Sequence, residues 1–111
     1  MPTSVSRYNN VVVLTVKDDL VGEEVEQFVS RSTRGLEESD HDLVVDCTHM
    51  SGMDSTALEA LVDLQNKCEE SLGAVKICCL DETCRKILNL TRLARRFECF
   101  DDLDSAVKSF S

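Results

Sequence analysis

A chain of 111 residues has room for one hydrophobic core and not for two, and its 42% hydrophobic and 30% charged residues are a folded-domain balance, not a disordered one. The formal net charge of −9 argues against nucleic acid and against anionic lipid as partners, because both recruit basic surfaces. No apolar run approaches the roughly 20 residues of a membrane span, and the N-terminus carries no signal-peptide pattern, so the cytoplasm is the expected location.

In chain order, residues 3–8 and the "VVVLTV" of 11–16 read as strands, with Asn9 and Asn10 between them as a hairpin turn. "VGEEVEQFVSRSTRGL" then places Val21, Val25, Phe28, Val29 and Leu36 at helical spacing. Its Glu23, Glu24 and Glu26 lie near the start, where the helix dipole favours acids. After the polar "EESDHD" comes "LVVDC", a continuous apolar run of the kind expected for a strand covered on both faces. "DSTALEALVDLQNKCEESL" sets Ala57, Leu61, Leu64, Cys68 and Leu72 on one helical stripe, with Gly73 placed to end the helix. "AVKICCL" reads as another buried strand, and Asp81 caps a helix containing Cys84, Ile87 and Leu88. "FECF" reads as a last strand, and "DDLDSAVKSF" as a closing helix that buries Leu103, Ala106, Val107 and Phe110. The order β-β-α-β-α-β-α-β-α predicts an α/β fold, a mixed sheet of four to five strands with crossover helices, in a single domain over residues 1–111.

The six cysteines are Cys47, Cys68, Cys78, Cys79, Cys84 and Cys99, and no pair has CxxC spacing. Without a secretory signal they read as small hydrophobes and not as a disulfide framework. His41 and His49 lack a second histidine at ligand spacing. Adjacent Cys78 and Cys79 on a strand point to opposite faces, which argues against their converging on one ion. No metal and no cofactor is therefore expected.

In "MSGMDSTALEAL", two hydroxyls stand side by side at the mouth of a helix. Thr56 and Glu59 have capping-box spacing, while Asp54 and Ser55 are alternative N-caps. The reading adopted is that Thr56 caps and Ser55 presents a free hydroxyl. Asp46, at the end of a buried strand, needs donors and is expected to find them in the loop that carries Ser55. A hydrolytic triad of Asp46, His49 and Ser55 lacks the GxSxG elbow and any nameable oxyanion donor. A Cys47 nucleophile served by His49 requires the strand to continue through both. The chain is thus expected not to be an enzyme. Residues 81–97 carry a local charge of +3, leaving −12 on the remainder; this reads first as a solvated helix face, the functional alternative being that the acidic surface around the first two helices steers a basic partner.

"LVVDCTHMSGMDSTALEAL" resembles the signature of the STAS domain of bacterial anti-sigma factor antagonists, in which a buried strand leads through a small loop into Met-Asp-Ser and a helix. Asp46, Thr48, Met53, Asp54, Ser55, Thr56 and Leu58 match that pattern. "KILNLTRLARRFECFDDLDSAVKSF" resembles the family's C-terminal third, so the likeness covers essentially the whole chain. Ala57 and Arg92 stand where the family commonly has glycine, and "KDDLV" replaces its Gly-x-Leu-Asp turn. The Ala57 methyl, two residues from Ser55, is expected to hinder a partner backbone that approaches closely.

The resemblance implies an anti-sigma factor antagonist working by partner switching. Ser55 would be the phosphoacceptor, and Asp46, Thr48, Met53, Asp54, Thr56, Ala57 and Leu58 the phosphosite loop and partner-binding residues. The partner would be an anti-sigma factor that is also a serine kinase, and a serine phosphatase would reset the switch. The alternative is a non-switching STAS scaffold or subunit of a signalling or lipid-transport complex. The sequence leaves the oligomeric state open.

Overall fold

Strand β1 (Thr3–Tyr8) pairs antiparallel with β2 (Val11–Val16), with Thr3 opposite Val16 and Tyr8 opposite Val11. β3 (Asp42–Asp46), β4 (Ala74–Cys78) and β5 (Glu98–Phe100) then add in parallel, giving the order β1-β2-β3-β4-β5. The computed structural model describes residues 3–8, 10–17, 19, 21–35 and 41–110. Helices α1 (Glu23–Gly35), α2 (Ser55–Glu70) and α3 (Glu82–Leu90) make the crossovers. A 3-10 turn (Leu93–Arg95) and α4 (Leu103–Lys108) complete the chain. The predicted element order is the observed one. The hairpin-turn residue Asn9 and the helical position Leu36 lie outside the described residues.

Parallel strands laid down in one direction with right-handed crossovers put their connecting helices on one face. Alternation along the strands then sorts the side chains. Val12, Leu14, Leu43, Val45, Val75 and Ile77 face the main core, where they meet Val25 and Phe28 of α1, Leu61 and Leu64 of α2, and Cys84 and Leu88 of α3. Val11, Val13, Val44 and Cys78 face the other way and are covered by Ala106 of α4, with Phe100, Leu103, Val107 and Phe110 around it. Double coverage accounts for the near-continuous apolar β2, β3 and β4. Lys76 is buried on this second face. Its Nζ donates to Ser109 Oγ at 2.8 Å, lies 3.7 Å from the Glu98 carboxylate and sits 4.1 Å from the centre of the Phe110 ring.

Two expectations need correction. Among the described residues of the first predicted helical stripe, Val25 and Phe28 are buried and Val21 and Val29 are exposed. On α2 the stripe ends at Cys68, and Leu72 is 94% exposed. The helix stops at Glu70, and Leu72 adopts a left-handed φ of 63° that swings its side chain into water. Its N–H donates to Glu69 O at 3.0 Å and the Gly73 N–H to Cys68 O at 2.8 Å, which together close the helix. Gly73 is therefore not the left-handed residue. It is needed because a Cβ there would lie 1.8 Å from the His41 carbonyl oxygen. Arg92, at a position where a glycine was expected by resemblance, likewise has a left-handed φ of 64°.

Candidate functional site

Asp46 ends β3 and is buried, and a buried carboxylate requires donors. Its Oδ1 accepts from the Thr48 N–H at 3.0 Å and from the Thr48 hydroxyl at 2.6 Å, as the sequence reading anticipated. That bond turns the chain out of the sheet into residues 47–54. Met50 and Met53 pin the loop by entering the main core. Helix α2 begins directly afterwards.

The helix cap is Asp54, not Thr56. Asp54 has extended backbone, with φ −106° and ψ −178°, and its Oδ1 accepts from the Ala57 N–H at 2.9 Å. "DST" offers three capping side chains in succession, and a contact distant in sequence selects among them. Asp54 Oδ2 accepts from the Gly22 N–H at 3.1 Å, ahead of α1. A return contact runs from the same segment, where Asp19 Oδ1 accepts from the Ser51 N–H at 2.9 Å and the Ser51 hydroxyl at 2.7 Å. Asp19 and Gly22 thus tie the β2–α1 connection to the loop carrying Ser55. Both carboxyls are held below their ordinary range, Asp54 chiefly by the Ala57 N–H and then that of Gly22, Asp19 chiefly by the Ser51 hydroxyl and then the Ser51 N–H.

With Asp54 as cap, Ser55 is the first residue of α2. It is exposed, and its hydroxyl makes no hydrogen bond among the described residues. Thr56 is exposed beside it. Ala57, Leu58 and Met53 are buried in the core, so these three shape the site from below. The expected hindrance by the Ala57 methyl is overturned for the same reason: it is 0% exposed and faces inward. His49 is exposed, and no hydrogen bond joins it to Asp46, Cys47 or Ser55 among the described residues. Burial drives the Cys47 thiol far up, the opposite of what a nucleophile needs.

From Thr56 a groove of about 700 Å³ runs between α1 and α2. Val25, Val29 and Leu64 contribute apolar lining, and among the described residues the charged lining is Glu26, Glu59, Asp63 and Glu70 against Lys67. The excess of carboxylates agrees with the acidity expected around the first two helices.

Sequence reasoning missed Gln65. It is buried on α2; its Oε1 accepts from the Val75 N–H at 2.7 Å, and its Nε2 donates to the Arg96 carbonyl. A glutamine within an apolar stripe is the only sequence signal it left. Cys78 and Cys79 also converge, against the alternation expected of a continuing strand. β4 ends at Cys78 and Cys79 has a left-handed φ of 64°, so both thiols and the Asp46 carboxylate have ligand atoms within 4.8 Å of one another.

The family model for the STAS domain matches residues 3–106. No curated protein matches the sequence. Among solved structures, a Thermotoga maritima protein described as a candidate anti-sigma factor antagonist superposes with a TM-score of 0.90 at 19% identity, covering 96% of this chain and 92% of that one. An anti-sigma factor antagonist of Mycobacterium paratuberculosis gives 0.86 at 20% identity, covering 96% and 91%. The Bacillus cell fate determinant SpoIIAA, in its phosphorylated form, gives 0.77 at 15% identity, covering 98% and 99%. Among the described residues no helix is long and apolar enough to cross a membrane.

Proposed function

Because the chain belongs to the STAS domain family, we propose that it is an anti-sigma factor antagonist whose binding to an anti-sigma factor with serine kinase activity is switched by phosphorylation of Ser55. The observation that carries this reading is the exposed Ser55 hydroxyl on the first turn of α2, with capping delegated to Asp54. A kinase can reach that oxygen without unfolding anything.

The chemistry of the switch follows from local charge. In the unmodified protein the Ser55 hydroxyl is uncharged and lies near the acidic groove, which suits a basic partner face. A phosphoryl group adds about −1.5 to −2 charge at neutral pH. The open end of a helix accommodates an anion, so the fold tolerates it. Asp54 is next in sequence, so the phosphoryl group crowds a patch that already carries one carboxylate, and its bulk and the cost of burying its charge beside a partner outweigh any added attraction to a basic face. Partner release follows, and a serine phosphatase restores binding. No acid–base pair is needed within this chain, which acts as a regulator and not as a catalyst, at home in the cytoplasm.

The test begins with intact mass. Incubation with ATP and a histidine-kinase-like ATPase encoded in the same genome adds one phosphoryl group to the wild type and none to Ser55→Ala. Ser55→Asp then loses the partner while Ser55→Ala keeps it. Retention of the partner by Ser55→Asp, with no mass gain in the wild type, would instead establish a non-switching scaffold.

A further inference from the structure

We propose that Asp46, Cys78 and Cys79 form a binding site for a thiophilic divalent cation of the zinc type. Parallel pairing sets Asp46 of β3 directly opposite Cys78 of β4, so the two side chains share a face at the C-terminal ends of the strands. Ideal alternation would send Cys79 to the other face. Instead the strand ends, the backbone turns left-handed at Cys79, and the Cys79 N–H donates to Phe100 O at 3.0 Å. That turn brings the second thiol beside the first.

The three ligand atoms lie within 4.8 Å of one another. Zinc bonds of about 2.3 Å to sulfur and about 2.0–2.2 Å to oxygen place tetrahedral ligands roughly 3.5–3.8 Å apart, so each atom needs to move by less than about 1 Å. Two sulfurs and one oxygen suit a borderline-soft ion and reject magnesium and calcium, which demand oxygen ligands throughout. Three protein ligands leave a fourth position for water. The outer support is present too, since Thr48 orients the Asp46 carboxylate with two hydrogen bonds. Asp46 and Cys78 are buried while Cys79 is half-buried, so the ion enters past Cys79. None of this depends on phosphorylation of Ser55.

The experiment titrates the reduced, metal-free full chain with cadmium chloride, following the thiolate-to-cadmium charge-transfer band, and then displaces cadmium with zinc. Expected is one saturable site per chain and a higher Tm with zinc. Cys79→Ser and Asp46→Asn weaken binding by at least about tenfold, while Cys68→Ser and Cys99→Ser leave it unchanged. Cys79 is half-buried, so its conservative replacement keeps the variant folded, and circular dichroism verifies this. Wild-type affinity in Cys79→Ser, or equal loss in Cys99→Ser, overturns the site.

Discussion

Replacing Leu72 by glycine is expected to stabilise this protein, against the usual direction of substitutions. Leu72 has a φ of 63° and is 94% exposed, so its side chain contributes almost no packing while its Cβ strains the backbone. A left-handed conformation costs an L-residue about 1–2 kcal/mol. Glycine removes that cost but gives the unfolded chain extra freedom worth about 0.5–1 kcal/mol. The net gain is about 0.5–1 kcal/mol, or about 2–6 °C in Tm for a domain of this size. The two hydrogen bonds that close α2 use backbone atoms only and survive the change. Urea unfolding at neutral pH measures the gain, with Leu72→Ala as control, because alanine removes the exposed leucine yet keeps the Cβ. An alanine variant as stable as the glycine variant, or a glycine variant less stable than wild type, refutes the reasoning.

Gly73→Ala places a Cβ against the His41 backbone and is expected to lower stability by about 1–3 kcal/mol, read from the urea midpoint. Ala57→Gly loses a buried methyl and helix propensity, about 1–2 kcal/mol together, while leaving partner affinity intact, since the methyl faces the core. Asp54→Asn tests the cap by acid titration. The Asp54 pKa is lowered from 3.8 in the folded state, so its contribution is present above that value and is lost as pH falls through the lower folded value. The wild type should lose stability below about pH 4 more steeply than the variant.

What the sequence made legible is what periodicity controls. Doubly covered β2, β3 and β4 announced themselves as apolar runs, and the crossover helices followed from their order. Ser55 was identified through motif resemblance, and its exposure followed the expected division between a capping and a presenting residue. The identity of the cap did not follow, because Asp54 is selected by the Gly22 amide, 32 residues away. Leu72 and Cys79 were misread for one shared reason: helical and strand periodicities assume that the element continues, and at both residues the backbone turns left-handed just past its end. Gln65 was overlooked because its partners, Val75 and Arg96, come together only on folding.

Asp19 and Asp54 each reach into the other's segment, so the chain ahead of α1 and the chain ahead of α2 are laced into one lip at the rim of the sheet. A phosphoryl group on Ser55, as proposed above, would push against the very carboxylate that holds one of those laces. The consequence would be mechanical: chemistry written at one helix's threshold would be legible at its neighbour's, and a visiting protein gripping only the first helix would still feel it.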